Sequence, residues 1–279
     1  PAALLSPDGQ QALMLARLGL GDSAWRALQE ADVEADDNAL WASAFVLDRA
    51  GAWHLSHDIL RRRLPWFRSF PPTGNLRKHW ELAYPNPFGR LVDAAAKASG
   101  IEKYYLWAVM REESGFNPGI ESFANAVGLM QLIVPTAQHM ADKKDGRITA
   151  GRLTEPDLNV RLGARYVAYV RDDTGAVTPL WPAGYNAGSG ALKRWLKERD
   201  RLPLDLFVEA IPFEEARGYT KRVAASWATY RYLYGGKQAD PLPYVSQKTH
   251  GPPAPKKRAP KKRASKKRKP RKGRGKKTK

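Results

Sequence analysis

Residues 106–114 read Leu-Trp-Ala-Val-Met-Arg-Glu-Glu-Ser, and this stretch decides the fold. Leu106, Val109 and Met110 recur at the three-and-four spacing of one helix face, so the segment predicts an apolar helix that ends on Glu113. A carboxylic acid at the end of such a helix loses water on one side. Desolvation raises its pKa toward the range that a general acid needs. Glu112 is its neighbour in sequence but lies about 100° round the helix, so the two do not converge as a catalytic pair. Taken alone, a glutamate at a helix end is an ordinary solvated or capping residue. Its surroundings must supply the chemistry.

Outward from this helix the same periodicity returns at residues 88–99, 135–140, 160–171, 192–197 and 219–233, and strand alternation is nearly absent. The expected fold class is all-α. Upstream, prolines at 65, 71, 72, 85 and 87 with Gly74 mark a linker with turns. Before that, residues 1–80 read as short amphipathic helices separated by glycines. One carries Leu13, Leu15, Leu18 and Leu20 behind Asp8 as its cap, and a second carries Trp25, Leu28 and Val33 behind Asp22 or Ser23. Two helical hairpins in a row resemble the end of an α-solenoid; an ordinary helical subdomain is the other reading.

The chain has 279 residues, 43% of them hydrophobic, enough for one large or two modest cores. It has no cysteine, which excludes a disulfide framework, a thiol nucleophile and any thiolate-held zinc or iron–sulfur site. It begins at Pro1 with no Met and no basic-then-apolar leader, so any export signal would lie upstream of this piece. The charge is uneven. Residues 252–279 hold 16 of the 47 Lys and Arg and no acidic or aromatic residue, leaving 31 basic against 28 acidic residues in a nearly neutral body. A Lys/Arg/Pro/Ala-rich tail at 241–279 has nothing to bury and is expected to be disordered.

Several short motifs follow Glu113 in order: Glu113-Ser114, Asn117-Pro118, Ser122, Gly128-Leu129-Met130-Gln131, Thr136-Ala137, Tyr185-Asn186-Ala187-Gly188 and Glu209-x-Ile211-Pro212. Together with Tyr84-Pro85-Asn86-Pro87-Phe88 they resemble the soluble lytic murein transglycosylases over roughly residues 84–236. Several motifs in one order are far more specific than any one of them. The resemblance implies a lysozyme-like catalytic domain at 81–240 that cuts the β-1,4 bond between N-acetylmuramic acid and N-acetylglucosamine, leaving a 1,6-anhydro product. It makes Glu113 the single acid/base, with Ser122 and Tyr185 orienting it. Gln131, Asn186 and Glu209 would line the sugar cleft. Each has a plainer reading: Ser122 and Asn186 as turn residues, Tyr185 as a core aromatic, Gln131 as a surface residue, and Glu209 as an ion-pair partner of Arg217. The chain departs from the family at Ile133-Val134, where Met-Pro is usual, at Ala183-Gly184, and at Ala216.

Ordinary glycosidases use two carboxylates, whereas the matched motifs offer one. No metal or organic cofactor is expected. His54 and His57 share a helix face, but two ligands without a third make a poor metal site. Trp107, Trp181 and Trp195 are candidates for stacking on sugar faces or for the core. The expected partner is the peptidoglycan glycan strand, met by a monomer in the periplasm or cell envelope of a bacterium, with the tail at 252–279 on anionic polymers or lipids. The alternatives are a goose-type-lysozyme-like hydrolase, an inert glycan-binding module, and a polyanion- or nucleic-acid-binding protein acting through its tail.

Overall fold

The computed structural model describes residues 1–236, and the tail expected at 241–279 lies outside the described residues. The first layer is built from α1 (Pro7–Arg17), α2 (Gly21–Glu30), α3 (Asp37–Arg49), α4 (Trp53–Arg62) and α5 (Arg77–Ala83). Its helices pair through small residues. Gly9, Ala12 and Ala16 of α1 are buried beside Gly21, Ala24 and Ala27 of α2, while Met14, Leu18 and Leu20 stay exposed. Of the expected leucine stripe, Leu15 packs part-buried against the core while Leu18 and Leu20 face out, because the close approach of the two helices admits only small side chains. Ser6, not Asp8, caps α1, its Oγ accepting from the Gly9 amide at 3.1 Å.

The segment expected to be a linker is ordered. Between Pro65 and Leu76 the chain makes two short 3-10 turns and then enters α5. Phe67 and Trp80 meet edge to face at 5.0 Å, and Trp80 stacks on Tyr84 at 5.7 Å. These aromatics carry the core across from the first layer into the second body.

That body contains α6 (Gly89–Ser99), α7 (Lys103–Glu113), α8 (Val134–Met140), α9 (Pro156–Thr174), α10 (Trp181–Ala187), α11 (Ser189–Glu198), α12 (Leu204–Glu209) and α13 (Glu214–Tyr234). Among the described residues there is no strand, only isolated bridges joining Val127 to Glu121 and Leu132. The all-α expectation holds.

α7 is the centre of the body. Every residue from Tyr105 to Arg111 is buried, as a helix enclosed on all sides requires. α13 runs antiparallel along it. The Tyr104 hydroxyl donates to the Tyr234 carbonyl at 2.8 Å at one end, Trp227 Nε1 to Glu102 at 2.6 Å, and Ser226 Oγ to Glu112 at 2.7 Å toward the other. The two layers are stitched together by Tyr230 and Tyr234, whose hydroxyls donate to the carbonyls of Pro85 and Tyr84, each at 2.8 Å.

Candidate functional site

α7 stops at Glu113 because Ser114 caps it. Ser114 Oγ lies 3.0 Å from the Met110 carbonyl and 2.9 Å from the Leu129 carbonyl, and it accepts from the Phe116 amide at 3.1 Å. The chain then turns sharply, with Gly115 and Phe116 both at positive φ (55° and 72°). Glu113 is left at the helix end, partly covered. Its pKa is raised to about 7, first by loss of water and then by the charges of Glu215 and Glu112; the Tyr219 hydroxyl and Arg222 pull the other way. A carboxyl titrating near 7 is protonated often enough at neutral pH to donate a proton and basic enough to take one back.

Glu112 is the opposite case. Its side chain is only 3% exposed, yet it is held ionised. Burial pushes its pKa up, but Arg111, the Ser226 hydroxyl and Arg61 outweigh it, and the net shift is downward. Arg111 Nη1 reaches its carboxylate at 2.5 Å, Arg61 at 3.5 Å and Arg222 at 3.7 Å. The two glutamates do not converge.

The loop from Gly115 to Ile133 forms the wall beside Glu113. Gly128, at φ 80°, has no room for a side chain: a Cβ there would stand 2.3 Å from the Leu153 carbonyl oxygen and 2.5 Å from Asn159 Nδ2. Asn159, fully buried on α9, fixes this turn three ways. Its Nδ2 donates to the carbonyls of Val127 (2.9 Å) and Leu153 (2.8 Å), and its Oδ1 accepts from the Met130 amide at 2.7 Å. Sequence reasoning missed Asn159, since a lone Asn in a helical stretch carries no signal without the turn it binds.

The residues named from sequence fall into three groups. Tyr185 is buried on α10, and its hydroxyl donates to the Met130 carbonyl at 2.7 Å; the charge of Glu113 acts on it, so it stands behind the acid and grips the wall. Ser122 Oγ accepts from the amides of Ala124 (3.3 Å) and Ala126 (3.1 Å), which uses its acceptor positions and leaves its proton to be donated. Gln131, at φ 45°, folds its Nε2 back on the carbonyls of Ile120 (3.1 Å) and Gly128 (3.0 Å). Beside Ser122, Phe123 projects fully into solvent.

Across from this wall, Asn186 is exposed and donates to Glu215 at 3.3 Å. Glu209, at the end of α12, is exposed and pairs with Lys221 at 2.5 Å. The expected partner, Arg217, instead donates to the Ile211 carbonyl. Tyr219 was not singled out from sequence. Its hydroxyl is buried, has no well-aligned partner, and stands close enough to Glu113 to favour the carboxylate by a loose hydrogen bond.

The remaining sequence candidates are structural. Trp107 Nε1 donates to the Pro87 carbonyl, Trp181 Nε1 to the Ala176 carbonyl, and Trp195 is buried against Phe213. His57 is buried edge-on to Phe116 at 5.6 Å, and burial, then Arg111 and Arg61, hold its pKa well below the ordinary value. His54 faces Asp22 at 3.7 Å. Among the described residues no three potential ligands gather to hold a metal ion. A groove of about 1000 Å³ lies elsewhere, between α3, α4, α5 and residues 85–89, with Tyr234 in its wall. Tyr234 and Tyr219 are fifteen residues apart on α13, which puts that groove roughly 22 Å along the helix from the acid.

Residues 90–207 match the family model for the transglycosylase SLT domain. The chain is 38% identical over 171 residues to the soluble lytic murein transglycosylase of Salmonella typhimurium, covering 60% of this chain and 26% of that protein. The protein of the same name from Escherichia coli K12 is 36% identical over 168 residues, covering 59% of this chain and again 26% of the relative. The chain thus spans about a quarter of the length of these curated relatives. Among solved structures, the 70 kDa soluble lytic transglycosylase of Escherichia coli matches with a TM-score of 0.72 at 28% identity, covering 90% of this chain and 39% of that one. The lysozyme-like fold expected from the motif order is borne out.

Proposed function

We propose that this chain, whose residues 90–207 match the transglycosylase SLT domain, cleaves the β-1,4 bond between N-acetylmuramic acid and N-acetylglucosamine in peptidoglycan without consuming water. The observation that carries the reading is Glu113, one carboxyl removed from water and poised near neutral pH at the edge of a loop wall. Protonated Glu113 donates to the glycosidic oxygen as the bond from C1 of the muramic residue breaks. The carbonyl oxygen of the neighbouring 2-acetamido group bonds to C1 and carries the positive charge as an oxazolinium ion. The Glu113 carboxylate then takes the proton from the C6 hydroxyl of the same sugar, O6 attacks C1, and the oxazolinium opens. The acid is regenerated and a 1,6-anhydro ring remains.

The surroundings serve both half-steps. Tyr219 and Arg222 stabilise the carboxylate, while burial, Glu215 and Glu112 stabilise the acid. Opposing pulls of this kind keep one group usable as donor and then as acceptor. Ser122, with a free hydroxyl proton, orients the carboxyl. Tyr185 holds the Met130 carbonyl, and through it the wall, in register. Gln131, Asn186 and Glu209 line the path of the glycan, which is taken up by a monomer in the periplasm or cell envelope. No helix among the described residues is long and apolar enough to cross a membrane. The basic segment at 252–279, which lies outside the described residues, would add attachment to anionic envelope polymers.

One observation favours a second reading. Glu215 is a further carboxylate that acts on Glu113, and a two-carboxylate site could activate water as a hydrolase of goose-type-lysozyme style does. Mass spectrometry of digested sacculi separates the two. Muropeptides ending in 1,6-anhydro-N-acetylmuramic acid, one water lighter than reducing-end products, are expected; free reducing ends alone would establish the hydrolase.

A further inference from the structure

Glu112 is buried and charged, and the mechanism above uses only its charge. Taking an ion out of water is costly unless every partner is in place, and here the partners come from three separate elements. Arg111 is its own neighbour on α7; Arg61 comes from α4 in the first layer; Arg222 and Ser226 come from α13. Arg111 is itself tied down, donating to Ser226 at 3.3 Å and stacking over the Tyr84 ring at 4.0 Å. The last turn of α7, which ends in Glu113, is therefore clamped from both sides.

The same α4 makes a second contact just past the acid. His57, one turn before Arg61, packs on Phe116, and a Cβ on Gly115 would stand 3.0 Å from its ring. Gly115 and Phe116 are the left-handed pair that turns the chain away from Glu113. A non-glycine residue in that conformation persists only where its surroundings enforce it, and His57 is part of that enforcement. α4 thus reaches Glu112, just before Glu113, and Gly115 and Phe116, two and three residues after it.

We infer that Glu112 is a positioning residue for Glu113 and that Arg61 of α4 acts through it, which makes the N-terminal helical layer part of the catalytic apparatus. The inference rests on the reading of Glu113 as the acid. The layer does not bind the scissile bond; it fixes the direction of one carboxyl. The charged and titratable groups around Glu113 are Glu112 on α7, Tyr185 on α10, and Glu215, Tyr219 and Arg222 on α13. Of these, Glu112 alone is linked to the first layer by an ion pair.

The test is steady-state cleavage of soluble glycan fragments by the full chain, followed from acid to alkaline pH and scaled to the folded fraction. Glu112→Gln is expected to lower kcat by about 10- to 100-fold, the scale of a small misplacement, with KM within about twofold. It should also move the alkaline limb of the kcat profile to lower pH, because an anion that favours protonated Glu113 is gone. Arg61→Gln should lower kcat in the same sense by a smaller factor, and Arg61→Lys should restore most of it, since at this distance a point charge suffices. Arg61 is part-exposed, so its variants decide the matter if Glu112→Gln does not fold. Wild-type kcat per folded molecule in Glu112→Gln or Arg61→Gln, or an unmoved alkaline limb in Glu112→Gln, would overturn the inference. Glu113→Gln run alongside separates the two ideas: if that variant still cuts, the acid has been misassigned, whatever Glu112 does.

Discussion

The two faces of the last turn of α7 place chemically identical groups, one residue apart, in opposite states. On one face Glu112 has a side chain only 3% exposed, yet three guanidinium groups and a hydroxyl keep it ionised. On the other, Glu113 is also removed from water, but with one loose hydroxyl, one arginine and two neighbouring carboxylates it is half-protonated near pH 7. Burial alone does not set a carboxyl's state. The supply of positive charge and donors does, and the fold gives more of both to the Glu112 face.

The largest expected effect breaks the active face. Glu113→Gln keeps the shape of the side chain but has no proton to donate, so cleavage of sacculi should fall by about 10²–10⁴-fold or more while glycan retention persists. Residual anhydro-muropeptide release at the wild-type rate would dismiss the assignment.

Next in size is the turn that faces Glu113. Asn159→Ala removes three buried hydrogen bonds and strands their partners, and should cost about 2–4 kcal/mol in chemical denaturation. A loss below about 0.5 kcal/mol would mean that the turn is held by something else.

The same comparison has a stability signature. An unfolded glutamate titrates near 4.5, and Glu113 in the fold near 7. A raised pKa means that the protonated form is favoured by folding. Native stability is therefore undiminished at low pH and declines as pH rises from the first value through the second. Glu113→Gln carries no charge at any pH. Thermal and urea unfolding should find it more stable than wild type by about 1–3 kcal/mol at about pH 8 and equal to it at about pH 4. A gain that does not depend on pH would show that the carboxyl is not desolvated.

Two smaller effects sharpen the picture. Tyr219→Phe removes a donor that favours the Glu113 carboxylate, so the alkaline limb of activity should move to higher pH. The rate at the optimum should fall by less than about tenfold, one hydrogen bond's worth. A shift to lower pH would show that the hydroxyl serves the acid form instead. The least is expected from the ion pair of Glu209 with Lys221. Both side chains are half-exposed, and Lys221→Gln should change stability by no more than about 0.5 kcal/mol.

What was legible in the sequence followed its physics. α7 and α13 are long and periodic, so their existence and the placing of Glu113 at a helix end could be read directly. α10 could not: Pro182 and Gly184 look like breakers. The proline sits in the first turn, where its missing amide costs nothing, and the glycine lets α10 pass Val170, whose Cγ1 would lie 2.6 Å from a Cβ. α1 misled because a leucine count finds the greasy face, whereas the face used was the one small enough for close approach. Ser122 and Tyr185 were found through motif order, but their bonds to loop amides and to the Met130 carbonyl belong to tertiary structure. The charge state of Glu112 was out of reach for the same reason, since its partners Arg61 and Ser226 are scattered along the chain.

That scattering governs when the last turn of α7 acquires its partners. Ser226 lies 114 positions beyond Glu112, and Tyr219 and Arg222 share its helix, so these contacts arrive only with the last described element. During synthesis the chain grows from its N-terminus, and until α13 docks, Glu112 lacks Arg222 and Ser226, and Glu113 lacks Glu215, Tyr219 and Arg222. A ribosome-bound or truncated chain that stops before Glu214 therefore lacks the charged surroundings of both glutamates, however well its first layer has folded. Order of manufacture thus leaves the end of α7 unfinished until α13, the last described helix, closes along it.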